Sequence, residues 1–181
     1  MKKRINLYTD GACTGNPGPG GWSCVNYDAI NNTIWDAYTG GEDSYLEGHI
    51  YHKKDTTNNR MELKGLLQAL KLATTKYKDC DVYIYSDSAY VVNTFNEWIY
   101  NWAANNWINS SKQEVKNLDL IKELYEYTKI NFPNFVVYKV AGHNNELGNE
   151  LADAYAIAEK CGDATKLAKI LKENDITLEI E

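Results

Sequence analysis

The first forty residues leave no room for a helix between three strand-like runs. Ile5–Asp10 (INLYTD) alternates, with Ile5, Leu7 and Thr9 on one side and Asn6, Tyr8 and Asp10 on the other. Gly21–Tyr27 (GWSCVNY) and Thr33–Thr39 come next, rich in aromatic and β-branched residues. The gaps between them are a Gly/Pro stretch and the turn signal Asp28–Asn32. Connections this short join strands only antiparallel, because a parallel crossover needs a dozen or more residues. The Gly/Pro stretch "TDGACTGNPGPGG" also resembles a phosphate cradle, but it contains no Lys for a Walker loop. It leads into a strand, where a dinucleotide fingerprint requires a helix. The stretch therefore predicts a wide hairpin turn, with Asp10 at the end of the strand that enters it.

Beyond the meander the period changes. Gly40–Asp55 has no clear period and is expected to be a long loop. Its His49 and His52 form an H-x-x-H pair with no other soft ligand near in sequence, which favours a surface insertion over a metal site. Arg60–Ala73 repeats apolar residues at spacings of three and four, the pattern of an amphipathic helix. Asp81–Asp87 alternates as a strand, and a helix is expected from Ser88 to about Trp102. After the polar break Ala103–Ser111 come a helix over about Val115–Ile130 and a strand over Phe135–Val140, divided by Pro133. A helix over Glu146–Cys161 ends at Gly162, with a short helix Ala164–Lys172 and a short strand Ile176–Ile180 after it. Strands separated by helices add in parallel to a sheet that began antiparallel. The fold class is therefore α/β, with a mixed sheet of five strands, three antiparallel and then two parallel, flanked by helices.

A chain of 181 residues is most simply one domain with a core large enough to stand without staples. Residues 1–160 are expected to form its main body and residues 161–181 a C-terminal extension of it. The cysteines Cys13, Cys24, Cys80 and Cys161 show no C-x-x-C pairing, so neither zinc nor a disulfide framework is indicated. A reducing, cytoplasmic setting and a monomer are expected. No apolar run approaches a membrane span, and the run after the basic Met1–Arg4 is too short for a signal peptide. The net charge of −6 weighs mildly against a nucleic-acid partner. Acids gathered at one metal site can nonetheless coexist with a basic groove elsewhere.

Four acids stand at element ends. Asp10 ends the first strand and Asp87 the fourth, and ligand sites in α/β sheets form beyond the carboxyl ends of strands. Glu62 lies near the start of the long helix at the edge of its apolar stripe, and Asp153 comes one helical turn after Asn149. Inward-leaning acids are costly unless neutralised, and hard oxygen ligands suit Mg²⁺ or Mn²⁺. Taken singly, each is as well explained as a turn, a cap or a solvated side chain, and spacing does not show that they converge.

Four segments, "YTDGACTGNPGPGGW", "TTNNRMEL", "YSDSAYV" and "GHNNELGNELAD", occur in order and closely resemble the signature motifs of type 1 ribonuclease H. The resemblance runs from about residue 5 to residue 158. It implies a ribonuclease H-like fold and cleavage of the RNA strand of RNA–DNA hybrids with two Mg²⁺ ions, Mn²⁺ being a substitute. It places metal binding on Asp10, Glu62, Asp87 and Asp153, and assigns proton transfer and product release to His143. Asn149 and Glu150 fit the family pattern as residues that orient the metal's water. The resemblance further implies that Gly11, Ala12 and Cys13 offer backbone to RNA 2′-hydroxyls and that Asn58 and Asn59 enter the minor groove. Asn16 and Thr57 would hold a DNA-strand phosphate. A 2′-hydroxyl is what lets a protein tell RNA from DNA at a given site.

Two departures from bacterial relatives stand out. Ala89 occupies a position where Gln is frequent, and the substrate-binding protrusion, rich in Lys and Arg elsewhere, has only Lys112 and Lys116. It keeps Trp98, Trp102 and Trp107, for which packing is as good an explanation as substrate contact; Trp98 is the candidate contact. A hybrid-binding module that has lost cleavage is the alternative function, opposed by the presence of all four acids and the histidine. A ribonuclease H piece of a reverse transcriptase is a third, disfavoured by Met1 just ahead of the first strand.

Overall fold

The computed structural model describes residues 1–42, 44–47, 50–141 and 146–180, with backbone alone for 44–47 and 50–53. Its elements run β1 (Arg4–Cys13), β2 (Gly20–Asp28), β3 (Thr33–Gly40), β4 (Ser44–Glu47), β5 (Ile50–Lys53), α1 (Asn58–Thr74) and β6 (Asp81–Ser86). Next come α2 (Ala89–Asn93), a π-helical turn Thr94–Trp98, α3 (Ile99–Ala104), α4 (Leu118–Thr128), β7 (Phe135–Lys139), α5 (Leu147–Cys161), α6 (Thr165–Glu173) and β8 (Thr177–Leu178).

The main sheet has the order β7-β6-β1-β2-β3-β8. β1, β2 and β3 form the antiparallel meander, and β6 and β7 join the β1 edge in parallel. The sheet thus has six strands rather than the expected five. The sixth is β8, which lies parallel to β3 and gives its outer edge partners: Thr177 N–H donates to Asn32 O at 3.0 Å and Glu179 N–H to Ile34 O at 2.9 Å. The second correction concerns Gly40–Asp55, read as a loop. β4 and β5 form an antiparallel hairpin of their own, with Glu47 opposite Ile50. The helix expected over Ser88–Trp102 is divided by the π turn and ends at Ala104.

β1 is the central strand, and its alternation feeds two cores. Ile5 and Leu7 join Leu63, Leu66 and Leu70 of α1 and Ile84 of β6 in the larger cluster. Tyr8 joins Val25, Tyr27 and Ile34 under Leu151, Ala152 and Ala154 of α5 in the second. Both faces of β1 are therefore covered, and only its carboxyl end is left for polar chemistry. The amphipathic stripe of α1 fixes its rotation, so Glu62 is buried beside Met61 and Leu63 at that same end. Thr57 caps α1 by accepting from Arg60 N–H at 3.2 Å. Gly162, at φ 71°, stops α5 in the left-handed conformation that favours glycine.

Candidate active site

Asp10, Glu62 and Asp87 converge. One carboxylate oxygen from each lies within 4.8 Å of the others. The register explains two of them: Thr9 pairs with Ser86 in the parallel β1–β6 ladder, so the next residue of each chain segment, Asp10 and Asp87, leaves the ladder side by side. The third arrives because α1 crosses very close to β1. A Cβ on Gly11 would lie 2.4 Å from the backbone nitrogen of Glu62, so only glycine lets helix and strand approach this far.

The electrostatics are those of an uncompensated cluster. Asp10 is 4% exposed and Glu62 4% exposed. Burial, and then the charge of Asp87, pushes the Asp10 carboxyl up to about 7, although Gly11 N–H donates to its Oδ1 at 2.8 Å. Glu62 is driven well above the ordinary carboxylate range by burial and then by the charge of Asp10. Its Oε2 is buried and accepts no hydrogen bond from the described residues. A buried oxygen without a donor, packed against two further acids, completes a ligand set suited to a hard divalent cation. Such an ion would supply both the missing partner and the missing positive charge.

Around this set the sequence candidates divide. Asn149, buried on α5, donates from Nδ2 to Asp87 Oδ2 at 3.4 Å. Asp153, one turn further along, lies outside the three-acid group and pairs with Lys166 of α6. It still contributes to raising the Asp10 pKa by its charge. His143 lies outside the described residues. Gly11 is buried, Ala12 and Cys13 are half-buried, and Asn58 and Asn59 are exposed. The Gly/Pro loop folds back on the entry to α1: Gly18 and Thr56 exchange backbone hydrogen bonds at 3.0 and 2.8 Å, and Asn16 Oδ1 accepts from Asn58 N–H at 2.9 Å. Asn16, Thr57 and Asn58 therefore share one corner. On the protrusion Trp102 and Trp107 pack against the larger core, Trp107 edge-on to Tyr125 at 5.3 Å. Trp98 remains 38% exposed, with its ring 6.0 Å from that of Trp102.

Sequence reasoning missed Lys166 and the support of α1 by Glu42. Buried Glu42 accepts from Arg60 Nε at 2.7 Å and from Thr56 Oγ1 at 2.9 Å, with Lys64 Nζ at 3.2 Å. Arg60 also grips Asp119 of α4 through two bonds of 2.9 Å. The spacing of Arg60 and Lys64 at a helical interval was the available signal, but their acid lies across a turn of chain that no local pattern reports.

Residues 2–160 match the sequence profile of RNase H. The chain belongs to the RNase H family. The family is one of nucleases, and this member is an enzyme of that class. It is 42% identical over 165 residues to a ribonuclease H of Francisella tularensis subsp. novicida (strain U112), covering 89% of this chain and 95% of the relative. Two solved structures share the fold at lower identity. A foamy viral protease-reverse transcriptase in complex with RNA/DNA hybrid superposes with a TM-score of 0.70 at 19% identity over 90% of this chain, which spans 20% of that polypeptide. LC11-RNase H1 in complex with RNA/DNA hybrid gives 0.57 at 22% identity, covering 86% of this chain and 96% of the other.

Proposed function

We propose that this RNase H cleaves the RNA strand of RNA–DNA hybrids, leaving a 5′-phosphate and a 3′-hydroxyl, with two divalent cations held by Asp10, Glu62, Asp87 and Asp153. The observation that carries this reading is the gathering of three acids within 4.8 Å around a buried, unpartnered Glu62 oxygen. When bound, Mg²⁺ or Mn²⁺ supplies a water nucleophile at neutral pH and stabilises the leaving 3′ oxygen of the phosphodiester. Asp10 and Glu62, whose carboxyls are raised by burial and neighbouring acid charge, would give up their protons where the cations are held, and Asn149 keeps the Asp87 carboxylate turned toward the cluster. Asn16 and Thr57 present one corner for a DNA-strand phosphate, Asn58 and Asn59 enter the minor groove, and the close-packed backbone of Gly11–Cys13 approaches the sugar of the RNA strand. His143 serves proton transfer and product release, the attacking water giving up a proton and the leaving 3′ oxygen gaining one. Both neighbouring folds solved with RNA/DNA hybrid support this choice of substrate.

The test offers labelled RNA–DNA hybrid, RNA duplex, DNA duplex and single-stranded RNA, each with Mg²⁺, Mn²⁺ or EDTA. Metal-dependent cutting of hybrid RNA alone is expected, with end-labelling showing 5′-phosphates. Cutting that persists in EDTA, or equal attack on single-stranded RNA, overturns the mechanism. Hybrid binding with no cutting in either metal points to the non-catalytic module instead.

A further inference from the structure

The four acids are not treated alike by the rest of the chain. Among the described residues no cationic side chain pairs with Asp10, Glu62 or Asp87, whereas the Asp153 carboxylate is held by the ammonium of Lys166. Lys166 lies beyond residue 160, where the match to the family profile ends. It is nonetheless firmly placed. Asp163 Oδ1 accepts from Thr165 N–H at 2.9 Å to start α6, and Ile170 is buried in the cluster that contains Tyr8 and Leu151. Past the helix, Asn32 Nδ2 donates to Asn174 O at 2.8 Å, and β8 closes on β3. The second residue of α6 is thus fixed over α5 by contacts made at the far end of the helix.

We propose that Lys166 is a positioning residue that occupies Asp153 in the metal-free enzyme and weakens the binding of the cation that uses Asp153. This rests on the reading of the four acids as metal ligands. An ammonium and a divalent cation on one carboxylate repel each other, so filling that position requires the ion to displace Lys166 or to bind beside it. The cation bound by the three uncompensated acids alone meets no such competitor. The two positions therefore fill at different metal concentrations, and the C-terminal extension sets the gap. Lys166 and Asp153 are 47% and 33% exposed, and pairs of that exposure shift binding modestly, by about twofold to fivefold.

Calorimetric titration of the full chain with Mn²⁺ at low salt measures this directly, without activity as the readout. The variants are Lys166→Met, Asp153→Asn and the two combined, with Lys169→Met as a charge control on the same helix, where the nearest acid is Glu173 at 4.0 Å. Lys166→Met is expected to tighten, by about twofold to fivefold, the ion whose affinity Asp153→Asn weakens, and to leave the other ion unchanged. The gain is expected to vanish in the Asp153→Asn background. Unchanged or weaker binding in Lys166→Met overturns the proposal, as does an equal gain from Lys169→Met. Wild-type protein that binds no Mn²⁺ overturns the four-acid reading itself; binding that is intact but blind to Lys166 overturns only this inference. Unchanged thermal unfolding of Lys166→Met in EDTA is expected, since Ile170 anchors α6; a large loss would assign Lys166 a structural role and sink the proposal.

Discussion

Glu42 and Glu62 are both buried glutamates, one just past the end of β3 and one inside α1, and their surroundings are opposite. Glu42 carries a burial penalty that Arg60, Thr56 and Lys64 more than offset, so its carboxyl lies below the usual range. Glu62 carries such a penalty with two acids as neighbours and, among the described residues, no cation, so its carboxyl lies well above it. A buried acid with partners ties elements together; a buried acid without them stores a demand for positive charge. The same physical cost yields a joint in one place and a candidate cation site in the other.

The comparison breaks most visibly in activity. Glu62→Gln or Asp87→Asn should reduce cleavage of hybrid RNA by roughly a thousandfold, the several kcal/mol a bound divalent ion supplies to the transition state. Glu42→Gln should cost activity only as far as it lowers the folded fraction. Comparable kcat losses in Glu42→Gln and Glu62→Gln would erase the distinction.

Stability should show the reverse order. Glu42→Ala strands Arg60 and Lys64 and should destabilise the protein by about 2–3 kcal/mol in urea unfolding, less than a fully buried pair because Arg60 stays bonded to Asp119. Glu62→Gln should instead stabilise the protein in EDTA at pH 8 by about 1 kcal/mol, since it removes a charge from a like-charged cluster.

The pH dependence comes from Asp10. Its native pKa of about 7 lies above the ordinary 3.8, so the native chain holds this proton more tightly than the unfolded chain. The cluster carries no penalty from this group below the unfolded value. Metal-free stability should decline as pH rises between the two values and level off above about 7. Asp10→Asn should flatten that decline, and saturating Mg²⁺ should reverse it in the wild type. A metal-free stability that rises between about pH 4 and pH 7 in wild type and stays flat in Asp10→Asn would contradict the assignment.

Much of this was legible in the sequence for reasons that can be named. β1, β2, β3 and β6 each bury a face, so alternation is enforced by packing and readable without coordinates. β4 and β5 form a two-stranded pair apart from the main sheet, and their four-residue runs are too short to establish a period; the signal lay in Gly48-His49 between two β-forming runs. The short strand expected over Ile176–Ile180 is present as β8, two residues long, but its pairing with the open edge of β3 is something no local pattern announces. At the site, the end of β6 told where Asp87 stands, and the stripe of α1 told which way Glu62 leans. Asp10 was expected at the end of its strand, but β1 instead runs on to Cys13 paired with β2, so that Asp10 lies just past the end of the β1–β6 ladder alone. Their meeting required the β1–β6 register, and the pairing of Asp153 with Lys166 required the docking of α6. Both are tertiary facts, separated along the chain by more than any window of pattern spans.

The smallest expected effect concerns salt. If the acids of the site are neutralised by metal, the protrusion still has few lysines with which to hold phosphates: it offers Lys112 and Lys116, both exposed, on a chain of net charge −6. Each neutralised phosphate contributes about −0.9 to the slope of log affinity against log salt, so a slope shallower than about −5 is expected for hybrid binding in Ca²⁺. Trp98, exposed where its two fellow tryptophans are packed, would then carry a larger share of the contact. Trp98→Ala should weaken binding by about 1 kcal/mol while leaving the salt slope unchanged, because an aromatic contact releases no counterions. A slope equivalent to about six or more phosphates would mean that basic side chains elsewhere hold the hybrid, and would move the binding surface away from the protrusion.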